Sequence, residues 1–116
     1  MAVNAREILN DFVGGVGKLC EMDNDFMQKF MAVDGGAGGD VLPSKNKELI
    51  GVALGVYNPR QSRIWLHVHG AYQAGATRQE ILAAAEVAIA FGGGPSVAYS
   101  ASVLNAALDE FEHDFD

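Results

Sequence analysis

NPRQSRIWLHVHGAYQAGAT, residues 58–77 of a 116-residue chain, sets two arginines and a histidine at one end of an otherwise apolar helical run. Apolar residues recur here at three- and four-residue spacing, and no segment of the chain alternates apolar and polar side chains as a half-buried strand would. The spacing predicts an all-α protein. Asn58 and Pro59 suit the N-cap and first residue of a helix, and Gly75 suits its end. With about 100° of turn per residue, Arg60, Arg63, Ile64, His67, Ala71 and Ala74 fall within one stripe roughly 100° wide, the expected core face, while Ser62, His69 and Gln73 point the opposite way. Trp65 and Tyr72 lie on a neighbouring flank and read as packing or subunit-contact residues.

Downstream, Thr77 and Glu80 in TRQE form a capping box that opens a fifth helix, running to about Phe91. GGGP, residues 92–95, ends that helix and starts a sixth, which reaches about Phe111 before the acidic EHDFD segment, read as a solvated, frayed end. Upstream, helical spacing covers about residues 5–19, weakened by Gly14, Gly15 and Gly17, and about 24–33. DGGAGGD, residues 34–40, reads as a flexible linker, and a third helix runs from near Pro43 to Tyr57. The expectation is about six helices in a single domain over 1–116, with an N-terminal part at about 1–40 and a core at about 43–112.

Eight Lys plus Arg against fifteen Asp plus Glu leave a net charge of -7, which argues against a nucleic-acid backbone or an anionic membrane as partner. Cys20 is the single cysteine, so an intramolecular disulfide and a thiolate-cluster metal site are excluded, and it reads as an inert buried thiol in a reducing compartment. MAVNAREILNDF lacks the basic-then-apolar pattern of a leader, and the richest apolar run, ILAAAEVAIAF, is broken by Glu86, so a soluble cytoplasmic protein is expected. The glycine-rich linker lacks the Gly-Lys-Ser/Thr ending of a phosphate-binding loop. Almost half the residues are apolar, and the fourth and sixth helices carry apolar residues on more than one flank, which predicts burial against copies of the same chain.

A helix N-terminus already carries partial positive charge, so Arg60 and Arg63 there call for a nearby anion, either a carboxylate of the protein or a ligand. On the third helix Glu48, Gly51, Val52 and Gly55 share a face, and two glycines one turn apart let a neighbouring backbone come close. Glu48 is thus the natural partner for His67 or for one arginine, and a His-Glu pair behind an arginine-lined entrance makes an acid-base couple. The other reading is a hydrogen-bonded core histidine beside arginines salt-bridged at a surface or subunit contact. His67 and His69 lie about 200° apart on a helix, so they do not chelate one ion together, and no metal is expected.

From KELIGVALGVYN through HVHGAYQAGATRQEILAAAEVAIAFGGGPSVAYSASVLNAALDEF the chain resembles the carboxymuconolactone decarboxylase and alkylhydroperoxidase D-like (AhpD-like) superfamily. The resemblance implies an all-α fold assembled as a homotrimer or homohexamer. In the peroxidase branch a Cys-x-x-Cys pair precedes a histidine, with a glutamate on the preceding helix completing a proton relay. His67 matches that histidine and Glu48 that glutamate, but Arg60 and Arg63 stand at the cysteine positions. Guanidinium neither attacks a peroxide nor resolves a disulfide, so the chain is not expected to be a dithiol peroxidase. The decarboxylase branch keeps the histidine without the cysteines and acts on a small polycarboxylated lactone, usually with a glutamate where Arg63 stands here.

These features together lead to the expectation of a cofactor-free acid-base site, of the decarboxylase-type lyase or lactone-handling kind, for a small carboxylated substrate. Arg60 and Arg63 would hold carboxylates, His67 would move the proton, and Glu48 would orient it. Two other readings stand beside it: a non-catalytic oligomer or small-anion binding protein that kept the fold, and residual alkylhydroperoxidase-type redox activity through Cys20 alone.

Overall fold

The structure, a computed structural model, describes residues 4–58 and 63–116. Their regular structure is all helical, with no strand among the described residues, in the order α1 (Ala5–Met22), α2 (Asn24–Gly36), α3 (Ser44–Tyr57), α4 (Ile64–Gln73), α5 (Arg78–Gly92), α6 (Gly94–Tyr99), a π-helical turn (Ser100–Leu104) and α7 (Asn105–Phe111). The last three form one continuous rod, because the residues at both junctions keep right-handed helical dihedrals. The expected sixth helix is therefore present with an extra residue absorbed in its middle.

Local chemistry sets most of the helix ends. Asn4 caps α1 by accepting the Glu7 N–H at 3.0 Å, and Asp23 both ends α1 and caps α2, its carboxylate accepting the Phe26 N–H at 3.1 Å. Gly14, Gly15 and Gly17 do not interrupt α1, which runs on to Met22. Gly75 takes φ 93° after α4, and Gly93 takes φ 69° between α5 and α6, values that disfavour any other residue.

The capping box stands as expected: the Thr77 hydroxyl accepts the Glu80 N–H at 3.1 Å, and the Glu80 carboxylate accepts the Thr77 N–H at 2.9 Å. Glu80 also accepts from Lys45 Nζ at 2.9 Å, which fastens the start of α5 to the start of α3. That ammonium, with the backbone N–H of Thr77, holds the Glu80 carboxyl below the usual carboxylate range.

The start of α4 differs from the sequence expectation. Asn58 is the C-cap of α3, its N–H donating to the Leu54 carbonyl at 2.9 Å, and α4 begins at Ile64 with Arg63 as N-cap. Pro59 and Arg60 lie outside the described residues. The core face of α4 is also rotated from the expected stripe. Ile64, Trp65, Val68, Ala71 and Tyr72 are buried, and His67 stands at the edge of that face.

α4 packs against α3, α7, α1 and the π turn, and α3 lies along α5. Val52 and Val56 of α3, Ile81 and Ala85 of α5, and Leu108 and Phe111 of α7 complete the interior. The Tyr72 hydroxyl donates to the Leu108 carbonyl at 3.0 Å, and burial pushes its phenol above the ordinary tyrosine value.

Three further expectations are corrected by the packing. The acidic C-terminal segment is not a frayed end. Arg6 pairs with Glu110 and with Asp114 at 2.8 Å, and His69 sits edge-on to Phe111 and Phe115, 3.5 Å from Asp114. Cys20 is half-buried on α1, so it is not a core thiol. The apolar flank expected to be spare on α4 goes into the core, and the large exposed apolar side chains sit chiefly on α1, α2, α3 and α5.

Thr77→Ala should lower unfolding free energy by about 1 kcal/mol in urea titration, the usual loss for an N-cap hydroxyl. Glu80→Gln tests the ion pair separately. Because the Glu80 carboxyl is depressed, its contribution is present above the ordinary carboxylate range and is lost as pH falls through the lowered value. The gap in melting temperature between wild type and Glu80→Gln should therefore be widest near neutrality and close on acidification.

Candidate functional site

His67 projects from the first turn of α4 toward α3, and its Nδ1 lies 2.9 Å from Oε2 of Glu48. Both side chains are half-buried, 27% and 28% exposed. The contact depends on two glycines. A Cβ added to Gly51 on α3 would stand 2.6 Å from the His67 ring, and one added to Gly70 on α4 would stand 2.8 Å from the Glu48 carboxylate. Each functional side chain thus lies over a glycine of the opposite helix, and the room at both points is set by the missing methyl groups.

The pairing fixes the imidazole. A carboxylate only accepts, so in the neutral ring Nδ1 carries the hydrogen and Nε2 is left with the free lone pair. His67 lines a pocket of about 360 Å³ together with Arg63, Gly51, Leu54, Gly55 and Tyr57, whereas Glu48 stands behind the imidazole and is not part of the wall. Arg63 adds its charge at the N-cap of α4, where the unpaired backbone N–H groups already favour an anion. Among the described residues no carboxylate pairs with Arg63. Its guanidinium carbon lies 5.9 Å from the centre of the Phe12 ring.

Of the four residues singled out in the sequence, His67, Glu48 and Arg63 come together, and Arg60 falls outside the described residues. Sequence reasoning missed Leu54 and Tyr57 as pocket walls and Gly70 as the seat of Glu48. Gly70 had a usable signal: it lies three residues after His67, one turn along the same side of α4. Among the described residues no three His, Cys, Asp or Glu side chains converge as metal ligands, and no helix is long and apolar enough to cross a membrane.

An all-helical chain with a His-Glu pair bridging two adjacent helices beside an arginine defines the class of protein. The chain belongs to the carboxymuconolactone decarboxylase family, whose model matches residues 24–106, and through it to the alkylhydroperoxidase D-like superfamily. The match begins in α2, further toward the N-terminus than the resemblance read from the sequence. The crystal structure of the apo form of a carboxymuconolactone decarboxylase family protein from Legionella pneumophila superposes with a TM-score of 0.79 at 32% sequence identity, covering 93% of this chain and 96% of that one. No curated protein matches the chain.

Gly51→Ala should separate His67 from Glu48, because the new methyl group occupies the place of the ring. The expected cost is about 1–3 kcal/mol of stability, as for other overpacked sites. In ¹⁵N spectra the wild-type His67 should show the Nδ1–H tautomer and the variant a mixture. An unchanged tautomer with unchanged stability would mean that the helices give way freely at this point.

Proposed function

We propose that the pocket is a cofactor-free acid-base site for a small carboxylated molecule of the lactone type. The observation that carries this reading is the 2.9 Å contact between His67 and Glu48 behind a pocket that His67 shares with Arg63. Glu48 accepts the Nδ1–H hydrogen bond and orients the ring, so Nε2 is the atom that gives or takes a proton. Family membership supports the fold, and in this reading the arginines set the chain's own specificity.

In a decarboxylation the bond between carbon and the departing carboxylate breaks. Carbon dioxide leaves, and the electron pair stays on a carbon conjugated with the lactone carbonyl. The His67 imidazolium then protonates that carbon and is recharged from solvent. An arginine on the departing carboxylate would stabilise the ground state and slow its loss. Arg63, joined in this reading by Arg60, therefore holds a second carboxylate that stays on the ring. The same residues would support a proton shift without loss of carbon dioxide.

A second reading is favoured by one contact. The Arg63 guanidinium lies over the Phe12 ring, which suits a packing role in a non-catalytic anion-binding or structural protein. Calorimetric titration with small di- and tricarboxylates separates the two. If the pocket is a carboxylate site, Arg63→Ala should weaken binding by about 1–3 kcal/mol, the scale of a charge-assisted hydrogen bond. His67→Ala should bind nearly as the wild type does while losing every proton-transfer step on a bound lactone. If no carboxylate binds the wild type, or Arg63→Ala binds equally well, the packing role stands.

A further inference from the structure

Phe12 is the last of the α1 side chains that pack on the core, after Ala5, Ile8 and Leu9. Positions 5, 8, 9 and 12 share one side of the helix, so this is the face that α1 turns to the protein. The Phe12 ring meets the buried Trp65 edge-on, with centroids 5.1 Å apart and planes at 65°. It also carries the Arg63 guanidinium carbon 5.9 Å from its centre, within the range of a cation–π contact. Arg63 is half-buried and lines the His67 pocket, so one aromatic ring joins the interior to the cation of the site.

We propose that Phe12 is a positioning residue for anion capture, an aromatic seat that holds the Arg63 guanidinium at the pocket while leaving its charge and its hydrogen bonds for the ligand. This role rests on the carboxylate reading of the pocket. An arginine can be fixed beside a site by a protein carboxylate or by an aromatic face, and the two have different consequences. A carboxylate neutralises the cation and occupies the planar fork that a ligand carboxylate needs. A ring supplies no oxygen, so the five N–H donors and the full charge stay available. Without a seat, a long side chain on the first turn of a helix samples many rotamers in water, and a ligand must immobilise it on binding.

The seat itself is rigid. Trp65 backs the ring from the α4 side, and Ala5 and Leu9, both buried, hold α1 against the core. Arg6 fastens the same helix to the C-terminal segment through Glu110 and Asp114. Phe12 also lies ahead of residues 24–106, the part of the chain that the family model covers. The first helix thereby acquires a part in ligand selection that the matched segment does not supply.

The test uses tricarballylate, a small tricarboxylate, as the probe, with the full chain as wild type, Phe12→Leu and Phe12→Tyr. Leucine keeps apolar packing and removes the π face, and tyrosine restores the ring. Calorimetry should show Phe12→Leu binding weaker by roughly two- to ten-fold, the scale of immobilising one rotamer-rich side chain on binding, and Phe12→Tyr binding as wild type does. In spectra of the free protein, ring current should move the Arg63 δ-methylene and Nε–H signals upfield in wild type and in Phe12→Tyr, and not in Phe12→Leu. A double-mutant cycle separates positioning from packing. With Arg63→Ala already present, Phe12→Leu should cause no further loss of affinity, measured by titrating the His67 ring signals. Equal affinity of wild type and Phe12→Leu, or a loss that persists in the Arg63→Ala background, would overturn the role of Phe12 and leave the carboxylate site standing. A wild type that shows the ring-current shift and binds no carboxylate would overturn that site, and the role of its aromatic seat with it.

Discussion

Everything about the site depends on how closely α3 and α4 approach. Glu48 and His67 are ordinary side chains on facing helices, and they meet at 2.9 Å because Gly51 leaves room for the imidazole and Gly70 leaves room for the carboxylate. The two glycines act reciprocally, one on each helix, so the pair is held from both sides. Each lies inside a helix, where glycine costs roughly 1 kcal/mol against alanine in propensity. Local helix stability is given up there for the position of two titratable groups.

The rest of the fold holds that approach in place. Lys45 and Glu80 tie the start of α5 to the start of α3, and the Val52, Val56, Ile81 and Ala85 side chains fill the space between those helices. On the other helix of the pair, Trp65, Val68 and Tyr72 anchor α4 in the interior, and the Tyr72 hydroxyl is fixed to α7. His67, at the edge of that buried face, therefore has a backbone anchored by packing while its ring remains reachable from the pocket. The C-terminal segment, drawn in by Arg6 and His69, closes the protein over Phe111.

Helical spacing and capping chemistry made much of this legible in the sequence. The Thr77–Glu80 box, the ends of α3 and α5, and the Glu48–His67 pairing all follow from rules that act within one turn or across one facing surface. The start of α4 did not, because Asn58-Pro59 has the composition of a helix start. In the fold, however, the Asn58 N–H is already committed to the Leu54 carbonyl, which makes it the end of α3. Starting α4 at Pro59 rotated its expected core face and placed Trp65 and Tyr72 on a flank that turned out to be interior. The tail was misread for a different reason. Its acidic residues find Arg6, more than a hundred positions away, and no local pattern announces a contact of that range.

The π turn at Ser100–Leu104 has a consequence for how this helix tolerates changes of length. A π turn spends one residue more per turn than an α-helix does, yet the helix continues unbroken on both sides, with Ser96 buried before it and Leu108 and Phe111 buried after it. Losing a single residue within the turn would let it relax into regular α geometry with the flanking faces still aimed at the core. The same deletion a few positions earlier or later would swing every following side chain by about 100°, turning Phe111 out of the interior. The rod thus carries a built-in allowance of one residue, located at one turn and nowhere else along its length.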